Sequence, residues 1–321
     1  MSRRVRTGQR KRSNAIYIIP ILVVVTAVVG YYIFTQSSAV TTSCPLCGTP
    51  VSSTVLNELS GVSMSTLNQV GKPSSVTSPA SISASPLTLN GKPEVLYMGA
   101  EYCPYCAAER WAVIVALDKF GNFTGIQYME STSTDVFPST PTYTFVGATY
   151  TSNYITFVTV EQEDRNGNPL QTAASDETSL LTSYDTCATT GQNGGIPFID
   201  FANSYVVNCG SQYSPAALRV GDTATGAAYN WTQIAPQLNN ASSVFARNID
   251  GTANTIISAI CKVDGNAPSS VCSQSAAQTL SYTRVPQSGG LQALVSGSVM
   301  EGQAPSSAAS RFAPTRQAAW V

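Results

Sequence analysis

The stretch PEVLYMGAEYCPYCAAERW, residues 93–111, decides the fold. Its opening, Pro93 to Gly99, is an apolar run of strand length, which reads as a strand buried on both faces. A helix follows from about Cys103 to Phe120. Ala107, Trp111, Ile114, Val115 and Leu117 give it a broad apolar face, and Gly121 can end it. Gly125 to Glu130 reads as a second strand. Strand, helix and strand within about forty residues make a βαβ unit, so the class is α/β.

The two cysteines of this stretch, Cys103 and Cys106, stand where strand hands over to helix. At a helix N-terminus, unpaired backbone N–H groups and the macrodipole favour negative charge. A thiolate at Cys103 is therefore stabilised, and the thiolate is the species that attacks disulfides. Pro104 suits the first helical turn because that position needs no N–H donor. Cys106, one turn on, can resolve a mixed disulfide. Two other readings compete: a static bridge, or a metal held jointly with Cys44 and Cys47. The 55 residues between the two C-x-x-C pairs far exceed the compact zinc spacing of roughly 15–20.

Farther along, residues 143–150 and 154–161 read as strands and 170–184 as a helix. A glycine turn then leads through Ile196-Pro197 into an apolar strand at 198–201, with 205–208 pairing back as a hairpin. Residues 231–238 and 244–262 look helical. The remainder divides into a basic tail (1–14), an apolar span (15–34), a Ser/Thr/Pro-rich stalk (35–86) carrying one weak helical pattern, a main domain (87–273) and a flexible C-terminal tail (274–321).

Ala15 to Phe34 are twenty residues without charge, long enough for a hydrocarbon core of about 30 Å. Six of the 17 basic residues precede that span, which keeps the N-terminus cytoplasmic and puts the rest outside a cell membrane crossed once. The span exceeds a signal-peptide core, so an anchor is expected. The rest of the chain then carries 11 positive and 18 negative charges, leaving no basic face for nucleic acid. Charged residues are only 11% of the chain, as suits an extracytoplasmic surface covered by Ser, Thr, Asn and Gly. Asn122, Asn230 and Asn240 head glycosylation sequons.

There is no histidine, which excludes Ser-His-Asp and Cys-His catalysis. All eight cysteines lie beyond the span, and an even number in an oxidising compartment suggests disulfides. Cys261 and Cys272 are candidate partners across a short loop. Cys187 and Cys209 flank Pro197, and bridging them would brace that segment. Other pairings of the four remain open. Cys44-Pro-Leu-Cys47 is a local disulfide or a second redox pair fed by a membrane partner.

Strand 93–99, the Cys-Pro-Tyr-Cys opening the helix, and Ile196-Pro197 entering strand 198–201 together resemble the thioredoxin-like superfamily. The stretch from Tyr97 to Trp111 behind one membrane span also resembles an uncharacterised family of archaeal membrane proteins with a domain of unknown function. The superfamily resemblance covers roughly residues 87–272. It implies a thioredoxin-like fold, here with an insertion at 131–190, and a cis-proline, Pro197, set against the cysteine pair. It also implies that the Ile196 backbone receives a substrate chain beside Tyr102, Pro104 and Tyr105. The expected activity is thiol–disulfide exchange with exported proteins, needing no bound cofactor. A scaffold or binding module with static disulfides is the alternative. Where thioredoxins carry a buried acid six residues before the first cysteine, this chain has Tyr97. Proton transfer to Cys106 would then use another group, Glu101 or Glu109, or water; solvation is the competing expectation for both glutamates, because Glu is usually exposed.

Overall fold

The computed structural model describes residues 43–187, 191, 193 and 195–278. The expected membrane span and the C-terminal tail beyond residue 278 lie outside the described residues. Among those described, no helix is long and apolar enough to cross a membrane.

Two short helices come first, α1 (Ser53–Ser60) and α2 (Met64–Val70). Each starts at a serine, Ser52 or Ser63, whose hydroxyl accepts a backbone N–H of the first turn, the usual N-cap device. Strands β1 (Ala80–Ser81), β2 (Thr88–Leu89) and β3 (Lys92–Gly99) lead into helix α3 (Pro104–Leu117). Then come β4 (Gly121–Thr124), β5 (Gln127–Glu130), β6 (Pro141–Thr144), β7 (Thr149–Ser152) and β8 (Thr156–Glu161). Helix α4 (Ser175–Tyr184), strands β9 (Phe198–Phe201) and β10 (Tyr205–Val207), and helices α5 (Trp231–Ile234), α6 (Val244–Val263), α7 (Ser269–Cys272) and α8 (Ser275–Gln278) complete a mixed α/β fold.

The main sheet has six strands, and β3 is its centre. One edge of β3 pairs antiparallel with β9, and the other pairs parallel with β8. β9 continues to β10 and β1, both antiparallel. Alternate residues of β3 serve opposite faces, as the strand pleat requires. Val95 and Tyr97 join the large core with α3 and α6, whereas Leu96 and Met98 join a second cluster with Phe198, Val206 and Tyr184. Helix α3 is therefore enclosed, and of its residues only Tyr105 is not buried.

Three expectations need correction. The run expected as one strand at 143–150 is split, with β6 ending at Thr144 and β7 starting at Thr149 in a different two-stranded sheet. The parallel partner of β3 is not the 125–130 strand, because β5 pairs with β6 in a separate two-stranded sheet. The crossover returns one sheet later, at β8, and the intervening strands form small hairpin-like layers beside α3. The stretch expected as a stalk also folds from residue 51 onward. Val51, Val55, Leu59, Val62 and Leu67 are buried in the main core, where their apolar area stabilises more than extension into water. Asn254 of α6 ties α2 in place through its amide to the carbonyls of Leu67 and Gly71 at 2.8 and 2.7 Å.

Candidate active site

Strand β3 delivers the chain at Gly99, and α3 takes over at Cys103, which is its N-cap. The Cys103 sulfur accepts the backbone N–H of Cys106 at 3.2 Å. Pro104 occupies the first turn, where no donor is needed. From the other side, the Cys103 thiol lies 3.9 Å from the carbonyl oxygen of Ile196, to which it donates. The Ile196–Pro197 peptide is cis, and Pro197 is buried at the start of β9. Thus the three separated segments singled out in the sequence converge on one sulfur. Cys103 and Cys106 are free thiols and both are buried, at 7% and 0% exposure.

The two thiols differ in acidity. Burial pushes Cys103 up, but hydrogen bonds from the Cys106 side chain and backbone, the Arg110 charge and the Tyr105 N–H outweigh it, so its value is lowered. Burial drives Cys106 well up, and hydrogen bonding and charge at Cys103 push it further. A thiolate on Cys103 beside a protonated Cys106 is the asymmetry that an attacking and a resolving cysteine need.

Arg110, one helical turn beyond Cys106, went unnoticed in the sequence. Its side chain is fully buried and paired with Glu161 at the end of β8, with Nε to Oε1 at 2.8 Å and Nη2 to Oε2 at 2.6 Å. Nη2 also donates to the Ala100 carbonyl at 2.8 Å, and the guanidinium sits 5.8 Å from the Tyr97 ring centroid. A cation in a helix whose only other charge is Glu109 was the available signal. Its partner, 51 residues away, was not legible.

Both glutamates expected to be solvated are buried: Glu109 because α3 is enclosed on all sides, and Glu101 in the turn between β3 and α3. Glu109 is fully buried and accepts the Gln212 N–H at 2.9 Å, and burial pushes its carboxyl to about 8. Its partner is Gln212 rather than a cysteine. Glu101, 6% exposed, accepts the Thr144 hydroxyl at 2.6 Å. Burial raises it, opposed by that hydrogen bond and by Arg110. Tyr97 is fully buried, and burial raises its hydroxyl well above the ordinary value.

The rim comes from the segment between β5 and β6. Thr132 donates its N–H to the Tyr102 carbonyl at 2.9 Å. Phe137 meets the Tyr105 ring edge-on at 5.8 Å, and Val136 beside it is 54% exposed. Tyr102 and Tyr105 are half-buried. Burial and the charge of Cys103 push the Tyr102 hydroxyl to about 12. The other six cysteines form Cys44–Cys47, Cys187–Cys209 and Cys261–Cys272. Cys209 is exposed and adjoins Gly210, which approaches the Tyr105 ring.

No curated protein and no solved structure matches the chain. A family model described as a domain of unknown function, DUF929, matches residues 78–262 and so encloses Cys103, Cys106, Arg110, Glu161 and Pro197, and the chain belongs to that family.

Proposed function

We propose that the protein is a membrane-anchored thiol–disulfide oxidoreductase of thioredoxin-like fold that acts on exported proteins. One observation carries this reading. Cys103 and Cys106 are the only unbridged cysteines among eight, and Cys103 caps the buried helix with its sulfur 3.9 Å from the Ile196 carbonyl. The central parallel pair β3–β8, the helix opening at Cys103 and the proline entering β9 are the features that support the fold assignment. The anchor at residues 15–34 and the outer location rest on the sequence alone.

In this reading the Cys103 thiolate attacks a substrate disulfide. The substrate S–S bond breaks, one substrate sulfur leaves as a thiolate, and a mixed disulfide forms. Cys106 then attacks the Cys103 sulfur, giving up its proton to the second departing sulfur. The substrate gains two electrons and the protein is left with a Cys103–Cys106 bridge. The reverse sequence donates that bridge to a substrate dithiol. Tyr102, Tyr105 and Phe137 supply an aromatic surface for the substrate chain, and the Ile196 backbone lies against its reacting end.

Trapping tests the reading. A Cys106→Ser variant incubated with a disulfide-bonded exported protein should accumulate a mixed disulfide on Cys103, detectable by mass spectrometry, and Cys103→Ser should not. Equal and negligible trapping by both would favour a scaffold, a reading that the burial of Cys103 at 7% exposure otherwise supports.

A further inference from the structure

The three disulfides do unequal structural work. Cys187–Cys209 and Cys261–Cys272 close separations of 22 and 11 residues, whereas Cys44–Cys47 closes only 3. A cross-link constrains the unfolded chain less as its loop shortens. The turn it spans is already held by Cys47 N–H to Cys44 O at 3.2 Å, and by the Thr49 N–H and hydroxyl to Leu46 O at 2.9 and 2.6 Å. The bridge therefore adds little that these bonds do not supply.

Its surroundings suit chemistry better. Cys261 and Cys272 are buried, and Cys187 is buried although its partner Cys209 is exposed, whereas Cys44 and Cys47 are both half-exposed. They line an open cleft of about 380 Å³ with Glu101, Met129, Asp164 and Arg165. Exchange at a disulfide needs access for the attacking thiolate, stabilisation of the departing one and a proton source. The half-buried Arg165 guanidinium brings positive charge, although it also faces Glu130 at 3.5 Å, and Asp164 opposes it within the cleft. Glu101 joins the cleft to the first site, since it stands two residues before Cys103.

We propose that Cys44–Cys47 is a second thiol–disulfide exchange centre, with a dithiol as its substrate in the cleft it shares with Arg165 and Glu101. A thiolate of the dithiol attacks one sulfur of the bridge. The Cys44–Cys47 bond breaks and the other cysteine leaves as a thiolate, which takes a proton from the cleft. The second thiol of the substrate then displaces the remaining cysteine. The substrate ends as a disulfide, and the protein gains two electrons and two protons as a pair of thiols. This inference does not require exchange at Cys103–Cys106.

The test titrates the full chain with mixtures of reduced and oxidised dithiothreitol, traps thiols by alkylation and counts each cysteine by mass spectrometry. Cys44–Cys47 should open at an about 100-fold lower ratio of reduced to oxidised dithiothreitol than Cys261–Cys272. It should do so equally in a Cys103→Ser/Cys106→Ser variant, which separates this centre from the first. Opening together with or after Cys261–Cys272 would make it a structural bridge and overturn the proposal. Loss of opening in the double variant would also overturn it, by showing that the bridge has no exchange reaction of its own.

Discussion

Arg110 and Glu161 form a fully buried, doubly hydrogen-bonded ion pair that ties the helix carrying the cysteines to the parallel strand beside it. Each charge is paid for by the other. Removing one partner leaves a bare charge in the core, which typically costs roughly 3–5 kcal/mol. The guanidinium is also one of the groups that lower Cys103, so it couples stability to thiol acidity.

Arg110→Met should therefore destabilise the fold by roughly 3–5 kcal/mol in urea unfolding. In the fraction that stays folded, it should raise the pH midpoint of Cys103 alkylation. Adding Glu161→Gln should recover much of the stability but not the thiol acidity. A double variant that restored both would show that Arg110 acts on the thiol only through packing.

Glu109 sets a pH dependence. Its folded-state value, about 8, lies above its ordinary value of 4.5, so the folded protein holds that proton more tightly. Its contribution is fully present below pH 4.5 and is lost as pH rises through about 8. Glu109→Gln keeps an acceptor for the Gln212 N–H and removes the titration. It should flatten the alkaline decline in thermal stability, by an amount on the order of a few kcal/mol at pH 9. An unchanged decline would assign it to other buried acids, such as Asp250, which burial also raises to about 8.

The Cys187–Cys209 bridge closes a loop of the chain that contains Ile196 and Pro197. Replacing both cysteines with alanine should cost about 3 kcal/mol on the loop-entropy model. If the closed loop fixes the Ile196 carbonyl beside the Cys103 sulfur, the change should also weaken substrate trapping on Cys103. A loss of stability with trapping unchanged would restrict the bridge to a structural role.

The central strand, the helix opening at Cys103 and the β9–β10 hairpin were legible, because each is a short apolar run bounded by proline, glycine or the cysteine motif. The Cys187–Cys209 and Cys261–Cys272 bridges were candidates, the first because its cysteines flank Pro197 and the second through chain proximity, but the sequence left other pairings of the four open. The parallel neighbour of β3 was not, since β4 to β7 intervene and nothing local marks β8 as the strand that returns. Residues 35–86 looked like a stalk because serine and threonine dominate; the helical pattern of Val55, Leu59, Val62 and Leu67 within it was legible, and with Val51 those side chains pack in the core with α3 and α6. The burial of Glu101, Glu109 and Arg110 was hidden for a related reason. Charges on a helix normally mark its wet face, and α3, which carries Glu109 and Arg110, has none; Glu101 stands in the turn before it, where nothing local marks burial.

The reduction potential of the Cys103–Cys106 pair tests exchange activity most directly. It would be measured on the full chain in defined thiol buffers, with each cysteine read by alkylation and mass spectrometry. A midpoint between about −120 and −270 mV, the range of exchange enzymes, is expected. A pair that stays bridged below about −300 mV would be a structural disulfide and would contradict it.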